Sequence, residues 1–158
     1  MQPRIELIAG KKLIGMRIEM SFAENKTMEL WRNFMPRRKE ILNNVSTKLI
    51  SMQLYGASFD ASDLHTTFEK WAVVEVTDFN TIPSNMESYF LTGGLYAVFH
   101  YKGLDSNTNI FRYIFGRWLP NSGYVIDNRA HFEILGDKYR NNDPNSEEDI
   151  WIPIRAKK

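Results

Sequence analysis

Apolar and polar positions alternate in short runs along most of the chain, and two stretches break that rhythm with helical spacing. Residues 12–20, Lys12 through Met20, alternate in part and predict a first strand with one covered face. Met28, Leu30, Trp31, Phe34 and Met35 recur at helical spacing and predict a helix over 26–35. Pro36 should end or kink it, with one more turn reaching Glu40 to Leu42. Residues 48–55, stopped by Gly56, and residues 70–76 predict two further strands, separated by a polar loop carrying Asp60, Asp63 and His65. The order then repeats. Gly93 and Gly94 introduce a strand over 95–101 that Gly103 closes. Ser106 or Asn107 caps a second helix with the stripe Ile110, Phe111, Ile114, Phe115, Trp118 and Leu119, stopped by Pro120 and Gly123. A strand over 130–135 runs into Gly136, a hydrophilic loop spans 137–149, and 150–154 forms the last strand before a basic tail.

Each half therefore reads strand, helix, strand, strand. Leu30, Trp31, Phe34, Met35 and Pro36 match Ile114, Phe115, Trp118, Leu119 and Pro120 at one constant offset. Met52 to Gly56 corresponds to Phe132 to Gly136, and Val73 to Val76 occupies the place of Trp151 to Ile154. Any one amphipathic element resembles another by chance, but agreement in order across four elements favours duplication. The expected fold class is α+β: two strand-helix-strand-strand repeats, about 5–78 and about 88–156, packed pseudo-symmetrically in one domain with a ligand cleft between them.

Composition narrows the function classes. The 158 residues are 43% apolar and 13% aromatic, enough for one substantial core. With 20 Lys and Arg against 19 Asp and Glu there is no field to attract a phosphate backbone, so direct nucleic acid binding is not expected. The duplicated domain also uses the whole chain, leaving no helices for a helix-turn-helix. The chain has no cysteine, which excludes disulfides and thiolate chemistry. No apolar run approaches the ~20 residues of a membrane helix and the N-terminus lacks a signal pattern, so a cytoplasmic location is expected. His65, His100 and His131 fit no metal-ligand spacing, Gly93-Gly94 precedes a strand rather than a helix, and no nucleophile motif occurs, so neither metal nor cofactor is expected. Arg37, Arg38 and Lys39 fit a helix end, where the dipole favours cations.

The segments Gly93-Gly94-Leu95-Tyr96-Ala97-Val98, Phe132-Glu133-Ile134-Leu135 and Asp149-Ile150-Trp151-Ile152-Pro153-Ile154, in this order, resemble the GyrI-like small-molecule-binding domain. That domain belongs to the SHS2-type duplications and serves as the effector-binding part of AraC-type and MerR-type regulators. The resemblance spans nearly the whole chain and implies a cleft lined by aromatic rings that holds a buried acid. It places that acid at Glu133, with Asp149 as a second candidate, or Glu148 if the register shifts by one. Read alone, Glu133 fits the wet face of a half-buried strand better than a buried site, and it is the resemblance that reverses this. Trp71 and Trp151 on the fourth strands and Tyr96 at the start of the central strand are the aromatic candidates, since a cation over their rings gains about 0.5–2 kcal/mol. The ligand-binding set is thus Glu133, Asp149, Trp151, Tyr96, Trp71 and Trp118, although such rings are most often core residues. The implied function is a stand-alone sensor or sequestering protein for a small hydrophobic or cationic molecule. The alternatives are a hydrolase using Glu133 with Tyr96, and a protein-interaction module of the gyrase-inhibitor type.

Overall fold

The structure, a computed structural model, describes residues 2–103, 109–136 and 145–157. The expected cap at Ser106 or Asn107 and most of the expected loop, 137–144, lie outside the described residues. The chain runs β1 (Arg4–Ile8), β2 (Lys11–Met20), α1 (Thr27–Phe34), β3 (Leu49–Leu54), β4 (Phe68–Val76), β5 (Glu87–Leu91), β6 (Gly94–Lys102), α2 (Asn109–Tyr113), β7 (Tyr124–Ile126), β8 (His131–Leu135) and β9 (Glu147–Ala156). α1 ends just before Pro36, and the further turn expected there is a 3-10 helix, Met35–Glu40, that carries Pro36 in its first turn, where the missing N–H is tolerated. α2 runs on into a π-helical turn, Ile114–Trp118.

The strands form one antiparallel sheet in the order β1-β6-β9-β8-β3-β4-β2-β5, with β7 added to β9. Exchanging β1 with β5, β2 with β6, β3 with β8 and β4 with β9 turns this order into its own reverse, so the two halves carry the same topology. Only Ala9 and Gly10 separate β1 from β2, yet β1 lies at one end of the order and β2 near the other. Thr92 and Gly93 join β5 to β6 in the same way. Links this short require the sheet to curl until its ends meet. A side chain on Gly93 would collide there with the Ile8 carbonyl, and one on Gly10 with the Phe90 ring.

Curling sorts side chains by strand parity, since successive residues point to opposite faces. Inside lie Leu13, Met52, Trp71, Val73, Tyr96, Val98, Phe132 and Trp151. Outside, Leu30 and Phe34 of α1 cover Ile14, Ala72 and Val74. Ile110 and Ile114 cover Ala97, Phe99, Ile150 and Ile152 on the other half. Met28 and Met35, read above as part of the α1 stripe, point outward at 73% and 41% exposure, because the i, i+4 pair Leu30 and Phe34 takes the buried face. Among the described residues no helix is long and apolar enough to cross a membrane.

At one margin of the sheet His100 lies between two carboxylates, with Nδ1 2.8 Å from Asp149 and Nε2 2.8 Å from Glu147. Those hydrogen bonds, Asp149 first, raise the imidazole pKa above its ordinary value. A folded-state pKa above the unfolded one contributes stability that is fully present below the unfolded value and lost as pH rises through the folded value. Melting temperature should therefore fall more steeply in wild type than in His100→Gln as pH rises above about 6.5, the ordinary imidazole value. The difference should be small, because the imidazole is exposed and solvent-screened.

Candidate functional site

β3 and β8 pair at the seam between the halves, with Met52 opposite Phe132, Ser51 opposite Glu133 and Gln53 opposite His131. Met52 and Phe132 point inward, so Ser51, Gln53, His131 and Glu133 point outward, into the strip between the α1 half and the α2 half. Parity brings Phe68 and Lys70 of β4 and Glu148 of β9 to the same face, Lys70 standing opposite Gln53.

This strip, the furrow between the halves, is polar and nearly closed to solvent, with Ser51, Gln53 and Lys70 each under 10% exposed. Gln53 Nε2 donates to Glu133 Oε1 at 3.1 Å. Glu133 keeps some accessible surface, but its carboxylate is packed round by protein atoms. That burial raises its pKa, while the charge of Lys70 and the hydrogen bonds of Gln53 and Ser51 act in the opposite sense. Lys70 is 9% exposed, and its burial favours the neutral amine against the pull of Glu133 and then Glu148. The Tyr55 hydroxyl is held above the usual phenol range by burial and by the Glu133 charge. Burial, with Arg129 second, pushes His131 down to about 4, so it is a neutral ring at physiological pH.

Beside this floor runs a chain of ring contacts. Phe22 packs on Phe68 at 5.2 Å and Phe59 on Tyr55 at 4.6 Å, and Tyr55 meets Phe68 and His131 at 4.9 Å each. Phe115, borne outward by the π-helical turn and 37% exposed, continues the chain at 6.5 Å from His131. The furrow thus joins a carboxyl group and an amine, the charge of each disfavoured by burial, with rings from both halves.

The candidates read from the sequence are divided between the two faces. Glu133 is in the furrow. Trp71, Tyr96 and Trp151 lie inside the curl with Phe132, where Trp151 stacks on Phe132 at 5.2 Å and Tyr96 meets Trp151 edge-on at 5.9 Å. The Tyr96 hydroxyl donates to the Ala130 carbonyl at 2.7 Å and the Arg129 guanidinium covers its ring at 4.7 Å. Glu133 and Tyr96 therefore stand on opposite sides of the sheet and do not converge on one reacting atom, as the hydrolase pairing requires. Trp118 packs edge-on against Phe99 at 5.3 Å and lines a surface depression of about 420 Å³ with Arg117 and Tyr113, away from Glu133. Asp149 is engaged by His100 and, at 3.8 Å, by Arg4, and Glu148 is the neighbour that shares the Glu133 face. Gln53, Tyr55, Phe59, Phe68 and Lys70 were missed as site residues, and Phe115 was read only as helix stripe. Even spacing from Glu133 or Gln53 along each strand is the signal for several of them.

Register also corrects the alignment of the halves. Met52 faces Trp71 as Phe132 faces Trp151, so Trp71 corresponds to Trp151, two residues away from the pairing of Val73 with Trp151. Gln53 then corresponds to Glu133, Lys70 to Ile150 and Phe68 to Glu148.

A family model described as Cass2, integron-associated effector binding protein, matches residues 4–154. The chain belongs to the Cass2 family. This Cass2 chain is 28% identical over 156 residues to the transcriptional regulator BrlR of Pseudomonas aeruginosa, covering 98% of its own length and 56% of that regulator. The chain thus spans about half the length of its curated relative. Among solved structures, SAV2435 bound to tetraphenylphosphonium superposes with a TM-score of 0.75 at 13% identity, over 98% of this chain and 94% of that one. The integron cassette protein VCH_CASS2 of Vibrio cholerae superposes at 0.69 with 16% identity, over 98% and 96%. These likenesses establish the α+β effector-binding fold expected from the sequence, and the Cass2 family is one of effector-binding domains related to those of transcriptional regulators.

Proposed function

We propose that this Cass2-family chain binds amphipathic cations in the furrow between its two halves, with Glu133 as the counter-ion and Tyr55, Phe59, Phe68 and Phe115 as the apolar walls. The observation that carries this reading is a carboxylate packed round by protein, held by Gln53 at 3.1 Å and flanked by a chain of rings drawn from both halves. A buried carboxylate is costly to keep ionised, and an incoming cation offsets that cost while a neutral molecule does not. Ligand occupancy is then the input, and any regulatory output passes to other polypeptide segments or partners. Tetraphenylphosphonium, carried by a protein of the same fold, is a suitable probe.

The test is calorimetric titration of wild type and Glu133→Gln with tetraphenylphosphonium and with neutral triphenylphosphine oxide. Glu133→Gln should weaken the cation at least about tenfold and leave the neutral compound unchanged. Equal affinity of both proteins for the cation sinks the reading.

A further inference from the structure

The outer face of the central strands carries charge of both signs in a fixed order. From β9 through β8 and β3 to β4 the floor presents Glu148, Glu133, Gln53 and Lys70. The acids belong to one half and the base to the other, because the halves diverge at these positions: Gln53 stands where the other half has Glu133, Ile150 where it has Lys70, and Phe68 where it has Glu148. Lys70 is the only charged side chain among the buried described residues. It faces outward beside Gln53, the residue that holds Glu133, and its charge reaches both Glu133 and Glu148. A bare lipophilic cation seated on Glu133 would thus meet a second cation within the same low-dielectric furrow, and like charges brought together there repel.

We propose that the furrow selects amphipathic zwitterions over simple cations, with Glu133 holding the cationic group of the ligand and Lys70 its anionic or hydrogen-bond-accepting group. The inference rests on the reading of the furrow as the effector site and names the ligand class it takes. Lys70 is then the specificity-determining residue: in the empty protein it stands opposite Gln53, within the influence of Glu133 but not paired with it, and in the complex it is given an anion of its own. A ligand bearing both charges leaves neither Lys70 nor Glu133 opposed by a like charge, whereas a monocation leaves Lys70 opposed and a monoanion leaves Glu133 opposed.

Three indoles with one ring system test it by calorimetry: tryptophan, tryptamine and indolepropionate, with tetraphenylphosphonium as reference. Wild type should prefer tryptophan over tryptamine and over indolepropionate by about tenfold or more. In Lys70→Met the preference over tryptamine should vanish and tetraphenylphosphonium should bind more tightly than to wild type. The wild-type ranking needs no variant, and far-ultraviolet circular dichroism checks that Lys70→Met is folded. If tryptamine binds wild type as well as tryptophan does, or if folded Lys70→Met keeps the wild-type ratio, the inference is overturned. If tetraphenylphosphonium binds through Glu133 while none of the indoles binds, the furrow is a plain cation receptor and the inference is again overturned. If Glu133→Gln leaves tetraphenylphosphonium binding untouched, the effector reading itself falls and this inference goes with it.

Discussion

Truncating Phe132 to Ala should lower the unfolding free energy by about 3–5 kcal/mol, the usual range for deleting a fully buried phenylalanine. Phe132 is 1% exposed and sits where the two halves meet, opposite Met52 on one side and Trp151 on the other. Its ring stacks on Trp151 at an interplanar angle of 13° and meets Tyr96 at 5.2 Å. The surrounding atoms belong to paired strands of both halves, so the space left behind cannot collapse without breaking sheet register, which puts the cost in the upper part of the range. Urea unfolding should show a lower midpoint with an unchanged slope, as expected when stability falls without a change in the surface exposed. A loss under about 1 kcal/mol would mean that the rings inside the curl do not join the halves. The same residue separates two roles that adjacency in sequence conflates, since Phe132 supports the sheet from within and Glu133, one residue on, faces the furrow.

The strands that could be read from sequence were those with one or both faces covered. In β2, β3, β4 and β6 apolar residues fill most of the buried positions, Ser51, Gln53 and Lys70 being polar ones among them, and i, i+4 pairs mark the helical stretches, Leu30 with Phe34 in α1 and Ile110 with Ile114 across α2 and its π-helical turn. β1 and β5 escaped notice because their pairing is not local. Each has five residues, lies at an end of the sheet and pairs with a strand of the opposite half. In β1 the apolar residues Ile5 and Leu7 point to solvent at 41% and 77% exposure, which inverts the usual relation between alternation and burial. β9 begins earlier than its apolar run suggests: Glu147, Glu148 and Asp149 look like the end of a polar loop but pair with Lys102, Tyr101 and His100.

Glu133 was legible as a candidate acid through resemblance, and the surroundings in which the structure places it were not. Parity along one strand shows that Phe132 and Glu133 part company, but only register between strands shows that Trp71, Tyr96 and Trp151 follow Phe132. Gln53 and Lys70 lie in runs that read as ordinary strands, and their meaning depends on facing each other across β3 and β4 next to Glu133. Phe59 reaches the furrow from the loop between β3 and β4, where hydrophobic periodicity carries no information.

Lys70→Met should destabilise the ligand-free protein by about 3 kcal/mol at neutral pH, and Lys70→Met combined with Glu133→Leu should recover most of that loss. Removing Lys70 leaves the Glu133 carboxyl with Gln53 as its donor and Glu148 on the same face, so the Glu133 charge loses the opposite charge that acts on it. Removing both charges leaves Ser51, Gln53 and His131 as neutral polar groups at the seam, and replacing opposite charges held in a protein interior with apolar groups of similar size is often neutral or stabilising. The loss in the single variant should depend on pH in a definite direction. Burial already raises the Glu133 pKa above its unfolded value, and loss of Lys70 raises it further. A carboxyl group whose folded pKa is raised gives its full stability below the unfolded pKa and loses it as pH climbs to the folded one. The gap between wild type and Lys70→Met should therefore open as pH rises through the raised folded pKa of Glu133 in wild type and level above the still higher one in the variant, while the double variant shows no such widening. Urea midpoints across that range measure it, and additive effects of the two substitutions at every pH would show that Lys70 and Glu133 do not act on each other.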